Sequence, residues 1–135
     1  ASTTLASDGR VVDVADIPSV GMTAVWGQDD DIRSCKLTCG VSCPVETLSA
    51  AGNGSTEDPQ ISPSGYVVWM SNKSGDGLGR IAVRDLLLDQ TFKLNSRIGV
   101  DGETPVFDPN VNGSRVVWSG FEFGNSDVFM AELSQ

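Results

Sequence analysis

Asp58-Pro59-Gln60-Ile61-Ser62-Pro63-Ser64-Gly65-Tyr66-Val67-Val68-Trp69 is the stretch from which the fold can be read. Ser62-Pro63-Ser64-Gly65 is rich in turn formers, and the run behind it is β-branched and aromatic, as suits a short strand entered through a tight turn. The same pattern occurs twice more, in Thr23-Ala24-Val25-Trp26 and Arg115-Val116-Val117-Trp118, so the tryptophans stand 43 and 49 residues apart. A glycine precedes each run (Gly21, Gly65, Gly113), and a proline precedes each glycine (Pro18, Pro59, Pro109).

Downstream of each tryptophan a second matching segment follows: Asp31 to Leu37, Arg80 to Leu86 and Asp127 to Leu133, aligned without a gap. A short turn then leads to Pro44-Val45-Glu46-Thr47-Leu48 and to Gln90-Thr91-Phe92-Lys93-Leu94. The third repeat has no counterpart after Leu133, whereas Ser2-Thr3-Thr4-Leu5 matches those two segments from the opposite end of the chain. From that leucine to the next tryptophan the spacing is 21, 21 and 24 residues, from Leu5, Leu48 and Leu94 respectively. Each unit is expected to hold four strands. The first follows the proline, the second ends in the tryptophan, and the third and fourth end in the two leucines. Four short strands in a period of roughly 40–50 residues are the signature of β-propeller blades. The expectation is an all-β chain of three blades, with repeats at about 6–48, 49–94 and 95–135 and segment 2–5 as the latch strand of another blade. Trp26, Trp69 and Trp118 are expected to pack between blades rather than touch a ligand.

Residues 58–72 with Ile81-Ala82-Val83-Arg84-Asp85-Leu86 resemble the TolB-type propeller repeat. Residues 108–118 with 124–129 are similar to the variant found in archaeal and bacterial surface proteins. The resemblance implies a scaffold for binding partners or for surface assembly. The first repeat departs from it most, having a cysteine-rich turn and no Ser-Pro-x-Gly.

Propellers close with roughly four to eight blades. Three would form a half ring whose two flat ends expose apolar side chains, and such a patch marks an interface. The expectation is a homodimer closing a six-bladed ring, each segment 2–5 pairing with the partner's segment 127–133. The alternative is that the chain is a fragment of a longer propeller. Residue 1 is Ala; a removed signal peptide and a cut made for another reason both account for that.

A net charge of −9 disfavours binding to nucleic-acid phosphates, which rests on Lys and Arg, and to anionic membranes. No apolar run is long enough for a membrane-spanning helix. Histidine is absent, which removes the usual general base near neutral pH and the commonest metal ligand. Cys35, Cys39 and Cys43 lie within nine residues. A hairpin disulfide between Cys39 and Cys43, turned by Gly40 and Ser42, is expected ahead of free thiols or a metal cluster, since three thiolates do not complete a zinc site. A bridge would imply an oxidising compartment, hence a secreted, periplasmic or cell-surface protein.

The glycine-marked turns are expected at one end of the blades and long loops at the other, in segments 6–17, 27–31, 49–58, 70–80, 95–108 and 119–127. These segments hold 14 of the 18 acidic residues and only 4 of the 9 basic ones. A mouth so charged suits cations or a basic partner surface, and the expected partner is a basic protein, a peptide or a glycan. Candidate ligand-binding residues are Asp29, Asp30, Asp31, Asp76, Asp101, Glu103 and Glu122. Asp29 and Asp31 are a weak Ca²⁺ candidate, since the run lacks calcium-loop spacing and a solvated acidic turn is the plainer reading. No other cofactor is expected. Three functions stay open: a non-enzymatic binding module, a structural or cell-surface assembly protein, and a glycoside hydrolase using paired carboxylates.

Overall fold

The computed structural model describes residues 4, 8–37, 43–49, 56–71, 80–94, 106–122 and 125–133. They form an all-β structure of three antiparallel sheets, with no helix among the described residues. Sheet one runs in the order β1 (Arg10–Ile17), β2 (Gly21–Gln28), β3 (Asp31–Lys36), β4 (Glu46–Thr47). Sheet two follows as β5 (Thr56–Ile61), β6 (Tyr66–Ser71), β7 (Arg80–Asp85), β8 (Gln90–Lys93). Sheet three contains β9 (Val106–Asn112), β10 (Arg115–Glu122) and β11 (Asn125–Glu132), with β11 and β9 on its edges.

Alternation along the strands explains why the sheets stack. In β6, Val67 and Trp69 enter one apolar cluster with Ile17, Val25, Ile32 and Leu48 of sheet one. Tyr66 and Val68 point the other way, into a second cluster with Val111, Val116, Trp118 and Leu133 of sheet three. Successive side chains of a strand face opposite sides, so a strand apolar at every position must be covered on both. Sheet two is that covered layer. Val67, Val68, Ile81 and Val83 are fully buried, each contributing about 1.5–3 kcal/mol through loss of apolar surface to water. Neighbouring sheets meet chiefly along β5, which packs on β1 and β2, and β9, which packs on β6 and β5.

Polar bonds tie the layers together at both ends. The Asp13 carboxylate accepts from the Ile61 N–H at 3.0 Å, and Thr56 Oγ1 donates to the Asp30 carbonyl at 2.9 Å. Ser62 and Ser64 both donate to the Gly113 carbonyl, joining the β5–β6 turn to the two-residue β9–β10 turn. Gly113 sits there at φ 58°, and Gly65 enters β6 at φ 94°, conformations that side chains other than glycine's resist.

Three features differ from the sequence reading. The tryptophans lie inside their strands, with β2, β6 and β10 each running past them. The prolines are not equivalent: Pro18 is in the β1–β2 turn, whereas Pro59 and Pro109 lie within β5 and β9. There the Asp-Pro pair makes a bulge, since the register shifts between Glu57 and Gln60 opposite Trp69 and between Phe107 and Asn110 opposite Trp118. In β1 the shift between Arg10 and Asp13 puts Val11 and Val12 opposite Trp26. Proline donates no N–H and fits a bulge without breaking the ladder, and Asp58, at φ 55°, takes the left-handed turn that aspartate tolerates.

The third correction concerns the disulfide. Cys43 pairs with Cys35, not with Cys39, at a Cα–Cα distance of 5.7 Å. Cys35 is buried on β3 beside Ala24 and Trp26, where Cys43 also packs, so the strand face selects the partner. Cys39 lies outside the described residues.

Candidate functional site

Among the described residues, Asp8, Asp29 and Asp30 lie at the end of sheet one that carries the β2–β3 turn. Gln28 pairs with Asp31, so Asp29 and Asp30 alone form the β2–β3 turn, with φ 52° and 63°. Two successive positive φ values define the tight hairpin turn that matches strand twist, and aspartate is among the residues that tolerate it. This corrects the expected long loop at 27–31. Likewise β10 continues to Glu122 and β11 starts at Asn125, leaving a two-residue connection where a loop at 119–127 was expected. Segment 6–17 is largely strand β1.

The three consecutive aspartates do different things. Asp31 is half-buried, and its Oδ1 accepts from Ser49 Oγ at 2.8 Å while the same hydroxyl accepts from the Ile32 N–H at 3.1 Å. It fastens the segment after β4 to the start of β3. Asp29 is exposed and faces the Arg33 guanidinium at 3.6 Å. Asp30 is exposed, and its carbonyl receives the Thr56 hydroxyl. No group of three or more metal-ligating side chains occurs among the described residues. Asp29 and Asp31, the Ca²⁺ candidate, thus have separate protein partners.

Glu122 closes the β10–β11 ladder opposite Asn125. Asp76, Asp101 and Glu103 lie outside the described residues. Sequence reasoning did not single out Asp8. It lies two residues before Arg10, which pairs with Gly27 beside the β2–β3 turn, and it is exposed, at φ 61°. The signal for it was only its place immediately before β1.

A concavity of about 430 Å³ is lined by residues of sheets one and two. Ser34, Lys36, Glu46, Arg84 and Asp89 bring both charge signs to its wall. Arg84 donates to Thr91 Oγ1 at 2.9 Å and to the Asp89 carboxylate, while its Nε is buried without a hydrogen-bond partner. Arg84 and Asp89 pair in this cleft, as Arg33 and Asp29 do at the β2–β3 turn.

No protein-family model matches the chain, and no curated protein is significantly similar to it.

Proposed function

We propose that the three sheets are blades of a β-propeller and that the chain is a non-enzymatic binding or scaffold module. In this reading it engages a basic protein, peptide or glycan-bearing partner through its acidic end. The observation that carries the reading is the exposed set Asp8, Asp29 and Asp30 at one end of sheet one, the latter two in a turn closed by the Gln28–Asp31 pair. Turn residues fixed by a two-strand ladder present charge without first having to be ordered, which lowers the entropic cost of binding. Support for the blade reading comes from the repeated sheet, the bulge opposite each tryptophan, and the approach of neighbouring sheets along β5 and β9. The Cys35–Cys43 pair supports a secreted, periplasmic or cell-surface location, where disulfides persist.

Calorimetric titration with an oligolysine peptide tests the site. Binding should weaken as salt rises. The triple variant Asp8→Asn, Asp29→Asn, Asp30→Asn should weaken it further, by about three- to tenfold, as expected for exposed ion pairs. Binding indifferent to both changes, or no binding at all, would reject the acidic end as the contact surface. An assembly role is the second reading, favoured by the apolar side chains exposed on sheets one and three.

A further inference from the structure

The apolar positions buried inside the stack recur, uncovered, on its two outer faces. The pairings Trp26–Arg33, Trp69–Ala82 and Trp118–Phe129 align the three sheets residue by residue. On that alignment Val25 and Val68 are 0% exposed, but their equivalent in sheet three, Val117, is 40% exposed. Ile32 and Ile81 are likewise 0% exposed, while Val128 is 80% exposed. At the opposite end, Ile61 and Val111 are 6% and 7% exposed, and their sheet-one equivalent, Val14, is 50%. Each interior face packs on the next sheet; against these two faces the described residues place no sheet, although on sheet one Ala24, Trp26 and Cys35 are buried beside Cys43 and Gly9, leaving Val14 exposed.

The fourth strand points to what covers them. In sheets one and two, β3 and β7 carry β4 and β8, and the leucine after each donates its N–H inward, Leu48 to Ile32 O at 2.7 Å and Leu94 to Ile81 O at 2.9 Å. Each such strand then leads along the chain to the first strand of the next sheet, β4 to β5 and β8 to β9. Ser2-Thr3-Thr4-Leu5 leads to β1 in the same way, so it corresponds to the fourth strand of a sheet preceding sheet one. Its own sheet three stands on the wrong side. Gly9 lies against Trp26, on the face of sheet one turned away from sheet two. The four residues from Gly9 back to Leu5 span at most about 14 Å. Sheet three lies two sheet spacings away, about 20 Å.

We propose that two copies of this chain exchange segment Ser2–Leu5, each adding it to the partner's β11 so that sheet one of one copy stacks on sheet three of the other. This rests on the blade reading above. The register follows from the siblings: Thr4 opposite Phe129, Thr3 opposite Met130, and the Leu5 N–H donating to the Val128 carbonyl. The Leu5 side chain then joins the partner's Val117 and the partner's Val128 under Val14 of its own copy. Antiparallel addition pairs the free edge and buries the exposed valines in one step, the mode by which an extended segment binds a sheet edge. Both copies give and receive, so the contact closes with two-fold symmetry.

Sedimentation at micromolar concentration should give twice the 14.2 kDa of one copy. Val128→Lys places a charge on the covered face, and Thr3→Pro removes a ladder N–H; each should raise the dimer dissociation constant at least about tenfold. Both should keep the circular dichroism and tryptophan emission of the parent monomer, since neither changes a buried residue of the stack. Thr3→Cys with Met130→Cys, in a Cys39→Ser background, should form a covalent dimer on oxidation. A parent protein that sediments as a monomer overturns the proposal, as does a dimer unaffected by Thr3→Pro. A bridge that forms within one chain also overturns it. The oligolysine titration is read separately from these masses, so failure of the acidic site and failure of the exchange are distinguishable.

Discussion

Ser49 shows at the residue scale how an apparent ligand cluster becomes structural. Its hydroxyl takes the buried Ile32 N–H and gives its proton to Asp31, closing a link across 18 residues of sequence. Ser49→Ala leaves a buried backbone donor without an acceptor, at a cost of about 1–3 kcal/mol. Urea denaturation should show a lower midpoint with an unchanged slope. Asp31→Asn should destabilise less, because an amide oxygen still accepts. Nothing in Asp29-Asp30-Asp31 as a string separates these roles. The distinction arises because Asp31 is the first residue of β3 and the other two are turn.

At the element scale, the β3–β4 connection is held by Cys35–Cys43, eight residues apart. Closing a loop of that length restricts the unfolded chain by about 2.5 kcal/mol on the chain-entropy account. Cys43→Ser, or a reducing agent on the parent, should lower the unfolding midpoint by a corresponding amount. Cys39→Ser should leave the parent's response to the reductant unchanged; an unchanged midpoint in Cys43→Ser would contradict the pairing. The cysteine spacing allowed either partner, and only the facing of β3 distinguishes them, since Cys35 shares the sheet side of Ala24 and Trp26. Much else at this scale was legible: the third strands end just before Leu37, Leu86 and Leu133. The Asp-Pro bulges were not, because a proline marks an interruption without saying what stands opposite it. The tight turn at 29–30 was missed for a related reason. Acidic and glycine-rich runs look like loops until ladder pairing claims their flanks.

At the scale of the whole molecule, the described residues form a stack in which one sheet is covered by a sheet on both faces and two on one. Hydrogen exchange should therefore be slowest in β6 and β7, at Val67, Val68, Trp69, Ile81, Ala82 and Val83, and faster in β1 and β11. Equal protection of β11 and β6 in a monomeric sample would contradict the layer order. In a dimer of the proposed kind, β11 protection should rise with protein concentration. Charge distribution belongs to this scale as well: Asp8, Asp29 and Asp30 stand exposed at one end of sheet one, with Arg33 facing Asp29, and both signs line the cleft near Arg84.

The sequence by itself determined the repeat, the all-β class, the number of sheets and the near ends of most strands, because those follow from the local period of apolar residues and from turn chemistry. It also carried the match of Ser2–Leu5 to the fourth strands. Only the tertiary structure decided which face each tryptophan takes, which cysteine Cys43 meets, and that Asp31 is tied to Ser49 while Asp29 and Asp30 stand exposed in the turn. Those depend on through-space neighbours across a ladder or between sheets, and a linear pattern does not encode what lies opposite.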